Sequence, residues 1–232
     1  MLNKDLHKVV LIKILKSIYS EPTLRSILGF KGGTAASLFY NLPRFSVDLD
    51  FDLLIPDKKD EVFTKVKTLL LPFGRLTEAI EKHYTLFYLV NYQKDERNLK
   101  VEISKRPTES SFEVKDYLGI PVLVMKQDDM LASKLQALLS RKNFAARDLF
   151  DIWYFLHNNW TLNPELVQKK TGMSVDVVLA KAIQTVAEAK KIQLLQGLGD
   201  LLDDKQRIWA RQKLQEELLF SLRLYQSMQK GK

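Results

Sequence analysis

The spacing of apolar residues changes period about halfway along the chain. Leu6, Val9, Val10, Ile12, Ile14 and Ile18 recur at helical intervals and predict an opening amphipathic helix that ends near Ser20-Glu21-Pro22. Ile27 to Lys31 reads as a short strand, Gly32-Gly33 as a turn, and Thr34 to Tyr40 as a helix with a hydroxyl cap in its first turn, closed by Pro43. The alternation Asp48-Leu49-Asp50-Phe51-Asp52-Leu53 predicts a strand running on to Ile55, after which Pro56-Asp57 opens a helix through Val62, Val66 and Leu69 toward Pro72. Tyr84 to Tyr92 alternates, Leu99 to Ser104 alternates again, and the charged residues between them make the two a β-hairpin. A polar stretch after Pro107 leads to the apolar run Ile120 to Met125. From Asp128 the period is helical almost to the end, predicting helices over 128–141, 145–157, 164–170, 174–190 and 205–228. The fold class is therefore α+β, with a mixed-sheet core over 1–125 and a helical bundle over 126–232. No internal repeat or low-complexity linker intervenes, so the two parts are expected to pack together with the helical part completing a cleft.

Composition narrows the chemistry. A chain of 232 residues with 46 % apolar and 28 % charged residues has the makeup of a globular protein, not a disordered one. Its apolar runs are too short to span a bilayer, and the N-terminal residues carry charges within an amphipathic pattern and no cleavage site, so a cytoplasmic protein without a membrane partner is expected. The absence of cysteine excludes disulfides, thiolate zinc sites and cysteine nucleophiles, leaving oxygen and imidazole ligands. A net charge of +8 favours contact with a polyanion, though it is equally the charge of a protein with a basic surface and no such partner. His7, His83 and His157 are scattered and receive no catalytic role.

The aspartate strand is the most informative feature. Residues i and i+2 of a strand share a face, so Asp48 and Asp50 project together, their α-carbons roughly 7 Å apart, while Leu49, Phe51 and Leu53 anchor the other face. The two carboxylates can converge on one divalent ion. Asp52 reads as a solvated or structural carboxylate. Glu102 alternates with Val101 and Ile103 and becomes a third carboxylate if its strand lies beside Asp48 and Asp50; otherwise it belongs to a charged exposed face. An all-oxygen set suits Mg²⁺ or Mn²⁺, and ions held there would align a hydroxyl with the α-phosphate of a nucleotide. Gly32 and Gly33 allow close backbone approach at a helix start, which fits a triphosphate cradle or an ordinary structural turn. Thr34 reads as a phosphate donor or a helix cap, and Arg44 and Ser46 as phosphate contacts or loop residues.

The run from Phe30 to Phe51, with Lys31-Gly-Gly-Thr34 and Arg44-Phe-Ser-Val-Asp-Leu-Asp50, resembles the first motif of the AbiEii/AbiGii toxin family, a branch of the nucleotidyltransferase superfamily. Lys134 in Ala132-Ser-Lys-Leu-Gln136 and Asp148 in Arg147-Asp-Leu-Phe-Asp151 are similar to its later motifs, so the likeness spans roughly residues 25 to 160. The resemblance implies a nucleotidyltransferase-like fold and a Mg²⁺-dependent toxin of a toxin–antitoxin or abortive-infection system. It implies transfer from an NTP to an acceptor such as tRNA, and a cognate antitoxin. The carboxylate pair maps to Asp48 and Asp50, the essential lysine to Lys134 and the later aspartate to Asp148, all with catalytic roles. The superfamily's turn is more often Gly-Ser, and Gly33-Thr34 keeps the hydroxyl.

Read without the family, Lys134 is a cation for the β- or γ-phosphate or the departing pyrophosphate, or else an exposed helix lysine. Asp148 and Asp151, three apart on one helix, either orient Lys134 or form a surface ion pair. Phe150, Ile152, Trp153 and Phe155 read as packing residues. Two alternatives stand beside the transferase: a phosphotransferase-like relative using the same metals, and a catalytically silent nucleic-acid or partner-binding module of the same fold.

Overall fold

In the computed structural model, residues 3–94, 96–141, 145–190 and 193–230 are described. The chain divides into two compact units, Met1–Met125 and Lys126–Lys232.

The first unit holds α1 (Lys4–Ser20), β1 (Leu28–Lys31), α2 (Gly32–Phe39), β2 (Asp48–Leu53), α3 (Lys59–Leu70), β3 (Arg75–Glu81), β4 (Thr85–Asn91), β5 (Leu99–Ser104), β6 (Phe112–Tyr117) and β7 (Ile120–Met125). The strands form one mixed sheet in the order β3-β4-β5-β2-β1-β7-β6. β1 runs antiparallel to β2 and parallel to β7, and β2 runs parallel to β5. The core lies on one sheet face, where Phe30, Phe51, Val101, Ile103, Leu86 and Tyr88 are fully buried. Tyr19 of α1 packs on Phe51, and Phe63 of α3 stacks on Tyr88. Each such large side chain contributes about 1.5–3 kcal/mol of burial, so the apolar half of every alternating strand is fixed to this face and the polar half to the other.

β4 and β5 pair as the expected hairpin. β3 and β6 were not foreseen: they are the two edge strands, rich in charge and without a buried residue, with a register shift in β3 between Leu76 and Glu78. α2 begins at Gly32, earlier than expected, with Lys31 as N-cap and no side-chain capping bond, so the cap placed at Thr34 is corrected. The hairpin joining β6 to β7 turns at Leu118 and Gly119, with φ of 53° and 79°.

The second unit is helical: α4 (Gln127–Ser140), α5 (Ala146–His157), α6 (Pro164–Thr171), α7 (Val175–Glu188) and α8 (Asp204–Lys230). Ala210, Leu214, Leu218 and Leu222 give α8 a fully buried stripe at i, i+4 spacing. Phe150, Ile152 and Phe155 are buried, Phe155 stacks on Trp160, and Trp153 packs against Trp209, so these residues serve packing. The Gln215 side-chain amide donates to the carbonyls of Val186 and Ala189, closing the end of α7. Among the described residues no helix is long and apolar enough to cross a membrane.

Candidate active site

In the first unit the parallel pairing of β2 with β5 sets Asp48 opposite Lys100 and Asp50 opposite Glu102. Side chains facing each other across a strand pair share a face, so Asp48, Asp50, Glu102 and Lys100 occupy one patch on the face away from the core. The Lys100 ammonium lies among the carboxylates, with Nζ 3.0 Å from Glu102, 3.4 Å from Asp48 and 3.8 Å from Asp50. Asp50 keeps 32 % of its side-chain exposure. Withdrawal from bulk water nevertheless pushes its carboxyl above the ordinary carboxylate value, against the pull of Lys100, with Asp48 and Glu102 adding to the rise. Burial by itself would lower Lys100, yet Asp50, Asp48 and Glu102 together outweigh it and hold the ammonium above its ordinary value.

Asp52 departs from its neighbours. It is buried and paired with Lys31, the residue that ends β1, so of its two readings the solvated one is corrected and the structural one stands.

The glycine turn is fitted to this patch. Gly32 has φ +82°, and a Cβ there would stand 2.9 Å from an Asp50 carboxylate oxygen. Two independent constraints therefore demand glycine at this position. A Cβ on Gly33 would come 2.5 Å from the Arg44 guanidinium and 3.1 Å from the Ser46 hydroxyl. Arg44 is 5 % exposed and donates to the carbonyl of Phe45 at 3.0 Å. Thr34 is buried; its hydroxyl donates to the Asp48 carbonyl and lies 2.8 Å from the Ser46 hydroxyl, which can donate back to it. Thr34 thus ties α2 to the first aspartate of β2. The residues named from sequence in the first unit, Gly32, Gly33, Thr34, Arg44, Ser46, Asp48, Asp50 and Glu102, come together around one turn and two strands.

His7 of α1 anchors the residue that precedes β2. Val47 O can only accept, so Nε2 donates to it at 2.9 Å, leaving Nδ1 to accept from the Tyr92 hydroxyl at 2.7 Å. Burial is the largest influence lowering this imidazole below its ordinary value.

Among the described residues no group of three or more histidine, cysteine or acidic side chains is arranged to hold a metal ion. A protein-only cage is not required for Mg²⁺, which usually takes one or two carboxylates and completes its shell with water and substrate phosphate. Asp48 and Asp50 meet that requirement, and the position of Lys100 shows that a cation can be accommodated among these oxygens. The donor set fits a hard divalent ion.

In the second unit Lys134 donates to Asp148 at 2.8 Å and its Nζ is 2.7 Å from Asp151. Both aspartates are buried, while Lys134 keeps 16 % exposure. Arg141 adds a second cation to Asp148, Nε to Oδ2, at 3.2 Å. The arrangement fixes the lysine head from two sides, which an exposed helix lysine would not be. Sequence reasoning missed Arg141 and the place of Lys100. The alternation that singled out Glu102 also puts Lys100 on its face, and that was the available signal.

A family model described as nucleotidyl transferase AbiEii toxin of type IV toxin–antitoxin systems matches residues 13–216. Among solved structures, JHP933 from Helicobacter pylori is similar with a TM-score of 0.65 at 23 % identity, covering 100 % of this chain and 96 % of that one. A putative nucleotidyltransferase from H. pylori gives a TM-score of 0.63 at 25 % identity, with 97 % and 96 % covered. MenT4, a nucleotidyltransferase toxin from Mycobacterium tuberculosis, gives 0.56 at 20 % identity, with 96 % and 93 % covered. No curated protein matches the chain.

Proposed function

Because the chain belongs to the AbiEii nucleotidyl transferase toxin family, whose members are toxins of toxin–antitoxin systems and act on NTPs, we propose that it transfers a nucleotide from an NTP to tRNA using Mg²⁺ or Mn²⁺. A cognate antitoxin is the partner that the family implies. The observation that carries the reading is the register of β2 and β5, which aligns Asp50 with Glu102 on the face that also bears Asp48, against a glycine turn that a Cβ would obstruct.

Asp48 and Asp50 are assigned to the metal, and Glu102, opposite Asp50, borders them as the third carboxylate of the patch. When bound, a divalent ion supplies charge neutralisation of the phosphates and lowers the pKa of an attacking hydroxyl. The opening amides of α2, at Gly32 and Gly33, have no side-chain cap and are assigned to the phosphates, where the positive end of the helix favours negative charge. Arg44 and Ser46 border that turn; Thr34 holds its helix against β2. Lys134 is assigned to the charge that grows on the pyrophosphate leaving group, and Asp148, with Asp151, holds its ammonium at a fixed point.

The test uses purified protein, Mg²⁺ and total tRNA with each NTP in turn, labelled on either the α- or the γ-phosphate. Transfer of α-label to RNA, lost in Asp48→Ala, is expected. Transfer of γ-label alone identifies a phosphotransferase, label on protein moves the acceptor away from RNA, and no label with any NTP overturns the proposal.

A further inference from the structure

Lys100 is not explained by the roles assigned so far. Three carboxylates share one patch, and like charges this close repel one another strongly. The second lysine on the same sheet face, Lys31, is taken by Asp52. Lys100 projects from the residue opposite Asp48, reaches all three carboxylates within 3.0–3.8 Å, and keeps 26 % of its side chain exposed, which leaves it a path outward.

An ammonium at those distances occupies the space that a divalent cation on Asp48 and Asp50 would need. Both cannot be there together. Resting on the reading that Asp48 and Asp50 hold the metal, we propose that Lys100 is a resident counter-ion of the carboxylate cluster, competing with free divalent cations and yielding when metal arrives with a nucleotide. The triphosphate makes the exchange favourable, because its oxygens supply both further metal ligands and a new anionic partner for the displaced ammonium. Free metal brings neither. The site is thereby biased toward the metal–nucleotide complex over the bare ion.

The four groups carry a formal charge of −2 with Lys100 and −3 without it, since three carboxylates are offset by one ammonium. Removing that cation raises the attraction for a divalent ion on the order of tenfold or more at this range. The experiment titrates Mn²⁺ into wild type, Lys100→Met, Lys100→Gln and Asp50→Asn, following free Mn²⁺ by electron paramagnetic resonance with and without a non-hydrolysable NTP analogue. Without nucleotide, either Lys100 variant is expected to bind Mn²⁺ about tenfold tighter than wild type, and the gap should shrink when the analogue is present. Two Lys100 variants are used so that misfolding of one leaves the other to report. Equal or weaker Mn²⁺ binding in the folded variant overturns the proposal while leaving the metal site standing. Failure of wild type to bind Mn²⁺ even with the analogue, or undiminished binding in Asp50→Asn, overturns the metal-site reading and this proposal with it.

Discussion

Replacing Gly32 by alanine separates backbone strain from damage to the site, because the chain contains its own control. Gly32 and Gly119 have nearly the same left-handed φ, +82° and +79°, but a Cβ on Gly119 meets nothing within 4 Å whereas one on Gly32 stands 2.9 Å from Asp50 Oδ2. The conformational cost of a Cβ in this region is about 1–2 kcal/mol, so both variants should lose that much stability. In a protein of this size that corresponds to roughly 2–4 °C in Tm per kcal/mol. The obstructed atom at Gly32 is the end of a side chain, which can rotate aside and spare the fold. The carboxylate then leaves the position its chemistry requires, and a misplacement near 1 Å costs on the order of a hundredfold in rate. The assay is thermal unfolding of both variants followed by transfer of α-labelled NTP. Matched stability losses with transfer lost only in Gly32→Ala are expected. Equal transfer by Gly32→Ala and Gly119→Ala would show that the approach of Gly32 to Asp50 is irrelevant to function.

Asp50→Asn should abolish transfer while leaving Tm unchanged or raised near neutral pH, since burial and two like charges both disfavour the ionised carboxylate; a clear fall in Tm would show that Asp50 stabilises the fold. Lys134→Ala should lower turnover by about a hundredfold with far less effect on NTP binding, and Lys134→Arg should recover only part of it, because charge on the leaving group develops during reaction. Toxicity in cells should fall with that rate; undiminished toxicity without turnover would favour a binding module. His7 is neutral in the fold and its imidazole is lowered below its ordinary value, so below pH 6.5 the unfolded chain binds a proton that the folded one does not. Stability should drop as pH falls from about 7 through that window, and His7→Gln should flatten the dependence of Tm on pH between 7 and 5; an unchanged slope would assign the loss to other groups.

The local pattern carried much of this protein. Strict alternation places Asp48 and Asp50 together because a strand has a period of two, and the helical period after Asp128 places the helices of the second half within a few residues of their ends. What the pattern lacked was strand neighbours. β2 and β5 are about fifty residues apart in the chain, and only their parallel pairing sets Glu102 opposite Asp50 and brings Lys100 among the carboxylates. The edge strands β3 and β6 escaped notice because neither buries any residue fully, so burial imposes no clean alternation. Thr34 read as a phosphate donor or a cap, since a hydroxyl near a helix start has both options; packing of α2 on β2 turned it inward to the Asp48 carbonyl. Likewise two aspartates three apart on α5 could either orient Lys134 or form a surface pair, and their burial against that lysine of α4 decides for the first. Periodicity is a property of neighbouring residues and is written in the chain, whereas the partner of each polar side chain is chosen by contacts that only the folded structure makes.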